Sequence, residues 1–207
     1  MTFSIVAIDT ETRTCGSAVA SFSLAVGGTV SYSRVGVGVI NTQHYAHLAL
    51  GQRVLDEMDE GKAPHEALAD TLRSDPDAES RQLIAIDATG RQGGWTGRDC
   101  AAARRHVFGT GCVAAGNFLV TEGVVERMVE VFEKTAGDPL GDRLLQALQA
   151  GELSGGDRRG RTAAAISVIP SKGSEVAINL DLRVDYHENP IAELARIRDL
   201  FKLEFRQ

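Results

Sequence analysis

Apolar and polar positions along the chain follow two periods, and the switches between them mark out the elements. A nearly unbroken apolar run from Phe3 to Ile8 predicts a short buried strand, closed by the polar turn 9–13. Residues 16–23 alternate and predict a second strand, giving a hairpin with the first. A second hairpin is expected over 28–33 and 36–41, where Val35, Val37, Val39 and Ile40 supply β-branched bulk. The period then lengthens. Leu48, Leu50, Val54, Leu55 and Met58 fall at helical spacing within 43–60, Gly61 closes that helix, and Pro64 opens another over 65–72.

Strand-like runs return at 82–87, 93–95 and 112–117, while 99–105 carries no readable pattern. Val124, Val125, Met128, Val129 and Phe132 form one apolar stripe, and Asp138-Pro139 caps and starts the helix bearing Leu140, Leu144, Leu145 and Leu148. The loop 155–161 leads into strands at 162–169 and 176–184. Asn189-Pro190 then begins a helix with Ile191, Leu194, Ile197, Leu200 and Phe201 on one side. Strands come in hairpins and helices in pairs, so the βαβ alternation of a parallel sheet is absent. The expectation is an α+β protein: two stacked antiparallel sheets between helical layers, a four-layer αββα sandwich, built as a single domain over 1–207.

Composition narrows the chemistry. Hydrophobic content is 43% and the formal net charge is −6, which speaks against a nucleic-acid partner. No apolar run reaches the ~20 residues a membrane crossing requires, and Met1 is followed directly by strand-like sequence without a basic leader. Cys15, Cys100 and Cys112 form no CxxC pair, so a cytoplasmic protein is expected, with neither a nucleic-acid nor a membrane partner.

Thr2 is the first candidate site residue. Were Met1 removed, its hydroxyl and free α-amine would share one carbon, which puts a nucleophile and a base in one residue. The loop Gly155-Gly156-Asp157-Arg158-Arg159-Gly160-Arg161 is the densest polar constellation, and Asp157 and Arg159 suit a carboxylate or carbonyl ligand. The same charges also serve to tie down a solvated turn. Asn41-Thr42-Gln43-His44 is read as a strand handing over to a helix, either touching substrate or capping the helix. His44 and His47 lack a further ligand at metal spacing, so no metal and no cofactor are expected. Asp185 and His187 have no Gly-x-Ser-x-Gly partner, and 155–161 has no Lys-Ser/Thr ending.

Several short motifs together resemble one uncharacterised family, a domain of unknown function: Thr2-Phe3-Ser4-Ile5-Val6-Ala7, Val35-Gly36-Val37-Gly38, Thr42-Gln43, Gln82-Leu83, Gly116-Asn117, Gly156-Asp157-Arg158-Arg159-Gly160 and Asp181-Leu182-Arg183-Val184-Asp185. That family is similar to the N-terminal nucleophile (Ntn) hydrolase superfamily. The resemblance implies the αββα fold and an amidohydrolase acting on a small amide or peptide. Thr2 would be the nucleophile after Met1 removal, and Asn117 or Gln43 would steady the oxyanion. Proteasome-like members place a lysine near the nucleophile. Here Lys62, Lys134, Lys172 and Lys202 all lie outside the early strands, and Arg34 stands in as a substrate-binding residue, with Gln43, His44, Asp157 and Arg159. The alternative is a non-catalytic binding module of the same fold for a peptide or cell-wall fragment; a homo-oligomer is left open.

Overall fold

The computed structural model describes residues 2–173 and 180–205. It is a mixed α+β structure with two antiparallel sheets and, among the described residues, five α-helices. The strands are β1 (Thr2–Asp9), β2 (Thr14–Ser21), β3 (Ser31–Arg34), β4 (Gly38–His44), β5 (Arg81–Asp87), β6 (Gln92–Thr96), β7 (Arg105–Gly109), β8 (Cys112–Gly116), β9 (Ala163–Ile169) and β10 (Leu180–Val184). The helices are α1 (Leu48–Asp59), α2 (Pro64–Arg73), α3 (Gly123–Lys134), α4 (Leu140–Leu153) and α5 (Pro190–Phe205). One sheet has the order β10-β9-β2-β1-β8-β7 and the other β3-β4-β5-β6. Hence β1 lies in the middle of the larger sheet, paired with β2 on one side and β8 on the other.

The two-residue period of a strand decides what each face of β1 meets. Phe3, Ile5 and Ala7 face a core shared with Met128 and Phe132 of α3, Leu144 and Leu148 of α4, and Ile191 and Leu194 of α5. Val6 and Ile8 point the other way and pack with Val39, Ile84 and Ile86 of the second sheet and Val113 and Ala115 of β8. A separate core joins the second sheet to the helices that follow it, through Ile40, Leu83 and Ala85 against Leu50, Val54, Leu55 and Leu68. No helix among the described residues is long and apolar enough to cross a membrane.

Two expectations need correction. Residues 41–44 are not a strand-to-helix junction: all four belong to β4, where Gln43 pairs with Gln82 and His44 with Arg81. Helix α1 begins only at Leu48, with His47 at its N-cap position, so Thr42 caps nothing. The sequence predicts no pattern over 99–105 and no element over 106–111, yet residues 105–109 form β7. This edge strand pairs with β8 alone in its sheet, which leaves Arg105 exposed while His106 is half-buried. Of the strand expected over 176–184, Leu180–Val184 is β10 and 176–179 lie outside the described residues.

Ile84 is fully buried between the sheets. Ile84→Ala is expected to lower unfolding free energy by about 2–5 kcal/mol in urea denaturation. Leu153→Ala, at a side chain left 87% exposed on α4, should stay within about 0.5 kcal/mol of the parent.

Candidate active site at the start of the central strand

The inward face of β1 changes character along its length. At its far end it contributes Val6 and Ile8 to hydrocarbon, but at its start it contributes Thr2 and Ser4, both buried. Facing strands change in the same way. Gln43 on β4, Gln82 on β5 and Asn117 just after β8 are each at most 1% exposed. Such groups tolerate burial only when their donors and acceptors are met.

Gln82 meets most of this demand for the cluster. Its two Nε2 hydrogens are shared among three acceptors in reach: the carbonyl oxygens of Gly116 (2.9 Å) and Arg105 (3.2 Å) and Thr96 Oγ1 at 3.0 Å. Carbonyl oxygens accept only, so these two fix which end of the Gln82 amide is nitrogen. Its Oε1 then receives Gln43 Nε2 at 2.8 Å and Asn117 Nδ2 at 2.9 Å. The same logic passes outward. Gln43 Oε1 accepts the Ser4 hydroxyl at 2.8 Å, and Asn117 is left with Oδ1 buried and without a hydrogen-bond partner.

Asn117 adjoins Thr2 through the backbone. The Asn117 N–H donates to the Thr2 carbonyl at 3.1 Å, and the Thr2 hydroxyl donates to Ser21 Oγ, its cross-strand neighbour, at 3.2 Å. Ser21 Oγ also accepts the Ser23 N–H at 3.0 Å.

The loop 155–161 docks on the same end. Leu119 and Asp157 form an antiparallel bridge, the Arg158 N–H donates to the Phe118 carbonyl, and Arg158 Nε donates to the Leu119 carbonyl at 2.7 Å. Gly155 and Gly156 adopt φ of +110° and +54°, a region that suits glycine. A Cβ on Gly156 would sit 3.2 Å from the Phe3 ring. Asp157 Oδ1 accepts the Arg159 N–H at 2.9 Å, while Oδ2 is buried, has no hydrogen bond, and lies 3.6 Å from Arg159 Nη2. The Arg159 guanidinium stands 4.7 Å over the half-exposed Phe22 ring and 5.9 Å from that of Phe118.

The backbone here is under strain. Among the described residues, five non-glycine residues have positive φ, and His44 (+70°), Ala103 (+53°) and Phe118 (+54°) are linked around this end. The Phe118 N–H donates to the Ala101 carbonyl, the Leu119 N–H to the Ala103 carbonyl, and the Ala101 N–H to His44 Nε2. Left-handed bulky residues are costly and gather where surrounding structure enforces a particular shape.

Asn117 thus adjoins Thr2 and Gln43 joins them through Gln82, whereas Asp157 and Arg159 lie on the loop docked past β8, whose Gly156 adjoins Phe3 on the face of β1 opposite Thr2. The roles expected of three residues change. Asn117 turns its amide nitrogen to Gln82, so what it offers freely is an acceptor, which suits an N–H rather than an oxyanion. Gln43 has both amide ends engaged. His44 receives the Ala101 N–H on Nε2 and so carries its proton on Nδ1, which donates to the Ser80 carbonyl at 2.8 Å. Burial moreover lowers its pKa from the usual imidazole value. Both ring nitrogens are occupied by structure, and none is left for substrate. Arg34 is not part of the site. It ends β3 level with Gly38 and Asp87, and binds Asp56 (2.7 Å) and Asp59 (3.4 Å) of α1. Burial pushes the Cys15 and Cys112 thiols up to about 12 and Cys100 to about 11, so none supplies a thiolate nucleophile near neutral pH.

Sequence reading passed over Ser4, Ser21 and Gln82. The signal for them was parity: they are polar residues at positions where their strands otherwise point apolar side chains inward.

A family model described as "Family of unknown function (DUF1028)" matches residues 2–194. The crystal structure of a Silicibacter pomeroyi protein carrying the same family label is similar to this chain at 31% identity, with a TM-score of 0.89 over 97% of this chain and 89% of that one. Weaker likenesses are to Anbu, an ancestral β-subunit, from Yersinia bercovieri (12% identity, TM-score 0.42, 98% and 95% covered). An Anbu mutant from Hyphomicrobium sp. strain MC1 is comparable (11% identity, TM-score 0.45, 100% and 97% covered). No curated protein matches the chain.

Gln82→Leu keeps the bulk but strands the Gly116 carbonyl and the amides of Gln43 and Asn117. It should cost about 2–4 kcal/mol in urea denaturation, whereas Thr96→Val, which removes one hydroxyl from the edge of the cluster, should cost about 1 kcal/mol.

Proposed function

We propose, for a chain that belongs to the DUF1028 family, an Ntn-type hydrolysis of an amide bond in a small amide or peptide, with Thr2 as nucleophile once Met1 has been removed. The fold on this reading is the αββα sandwich of that superfamily. The observation that carries the proposal is the company Thr2 keeps. It opens the middle strand of the larger sheet, its hydroxyl bonds to Ser21, and a buried amide oxygen of Asn117 without a partner stands on the neighbouring strand. An α-amine liberated at Thr2 would give that oxygen a donor and be oriented by it.

In this scheme the α-amine takes the hydroxyl proton while Oγ1 attacks the substrate carbonyl. Collapse of the tetrahedral species breaks the C–N bond. The leaving amine receives the proton, and an ester forms on Thr2. Water, deprotonated by the same amine, then opens the ester to a free acid and restores the hydroxyl. Arg159, steadied by Asp157 and stacked over Phe22, sits at the surface of the same end and suits a carboxylate on the substrate.

A second reading has its own support. Thr2 is only 4% exposed, while Arg159 keeps about a third of its side chain in solvent. A non-catalytic binding module would use the 155–161 loop and leave the hydroxyl of Thr2 as packing.

Intact mass measurement on untagged protein from its native cells should show loss of Met1. Against a panel of small amides and peptides, Thr2→Ala should lower turnover by about 10³-fold or more, with Thr2→Ser retaining part of it. Because the amine acts as a base, kcat/KM should rise with pH through the α-amine range of about 7.7–8.0. A retained Met1, or binding of an acidic peptide that survives Thr2→Ala and fails in Arg159→Ala, would decide for the binding module.

A further inference from the structure

At the opposite end of β1 from Thr2 lies a cavity of about 580 Å³, bounded by the β1–β2 turn, the start of α4, the end of β9 and one face of α5. Its α5 wall is Arg198, Phe201, Lys202 and Phe205, at spacing i, i+3, i+4 and i+7, a single helical stripe. Val168, Leu140 and Leu180 supply apolar surface opposite. The volume falls in the range of small-molecule sites.

The polar groups in it are unevenly matched. Arg198 is 12% exposed in its side chain, and its Nε is buried without a hydrogen-bond partner. That Nε lies 3.3 Å from Asp142 Oδ1, outside hydrogen-bond geometry, and Lys202 Nζ reaches the same oxygen at 2.8 Å. No hydrogen bond from the Arg198 guanidinium is formed among the described residues. An arginine carries five donors in a planar fork, and a buried Nε–H left unmet is a standing cost.

The surroundings add to the positive potential. Helix α4 has 14 residues and points its N-terminal turn, Leu140–Gly141, into the cavity, where the first peptide N–H groups have no intrahelical acceptor. Gly141 lets Leu180 come close: a Cβ there would stand 2.8 Å from Leu180 Cδ2, with Arg198 Nε in ordinary contact at 3.6 Å. Against two cations and this helix end stand Asp142, which both cations share, and Asp9, whose Oδ1 is already held by the N–H groups of Glu11 and Thr12. Asp199 lies 4.0 Å from Lys202 on the outer side of α5 and is 76% exposed.

We propose that this cavity binds a small organic carboxylate with an apolar body, aryl or medium-chain alkyl. Its acid group lies across Arg198 and Lys202 at the first turn of α4, and its body rests on Val168, Leu180 and Phe201. A planar carboxylate satisfies the guanidinium fork two bonds at a time, and the apolar walls favour an organic acid over a free inorganic anion. The site is separate from Thr2 and stands whether or not the chain is an amidase.

Isothermal titration calorimetry of the whole chain with octanoate and 3-phenylpropionate, with octanamide as the uncharged control, tests this. Saturable binding of one acid per chain is expected, with octanamide about tenfold or more weaker. Arg198→Gln should weaken acid binding about tenfold or more and Lys202→Met by a smaller factor, both without changing octanamide binding. Lys202 is 41% exposed, so its variant keeps the test decisive if Arg198→Gln does not fold. The proposal falls if neither acid binds saturably up to about 5 mM, if octanamide binds as well as octanoate, or if acid binding is unchanged in the charge variants.

Discussion

A primary amide sealed between two sheets must meet its donors and acceptors from the protein itself, and the arrangement around Gln82 follows from that constraint. Two backbone carbonyls, of Gly116 and Arg105, orient its nitrogen; its oxygen then orients Gln43 and Asn117. The sheets are held in register here by directional bonds, whereas at the other end of β1 they are held by hydrocarbon, which accepts many packings. The polarity of the amide chain also decides what its last member exposes. Because every amide in the chain points one way, Asn117, the residue whose N–H bonds to Thr2, ends it with an unpartnered oxygen.

Much of the architecture was legible because it is local. Strands betray themselves by alternation and helices by their stripes, and the stripes of α3 and α4 supply the side chains that cover Phe3 and Ile5. What escaped notice depends on partners far away in sequence. Residues 41–44 looked like the approach to a helix, yet their conformation is set by pairing with β5 some forty residues later. Residues 105–109 have no buried stripe to reveal them, since an edge strand leaves one side to solvent.

The candidate site was legible in the same measure. Thr2, Asn117, Asp157 and Arg159 stood out as polar residues next to strand ends or glycines, and of these Asn117 adjoins Thr2 through the backbone. Arg34 stood out equally as a charge in a strand, but the acidic pair Asp56 and Asp59 on α1 had already claimed it. His44 looked like a free imidazole until the Ser80 carbonyl and the Ala101 N–H took both nitrogens. In each case the deciding contact lies more than twenty residues away along the chain, where no pattern in a single sequence reaches.

The three cysteine thiols carry a practical consequence. Cys15 in β2, Cys112 in β8 and Cys100 in the connection after β6 are each at most 2% exposed, and each sits in a different stretch of structure. An alkylating reagent meets them only when the surrounding segment opens. The chain thus carries three native probes of its own breathing, and the order in which they become labelled would rank the stability of the β1–β2 hairpin, the β6–β7 connection and β8 without a single engineered label.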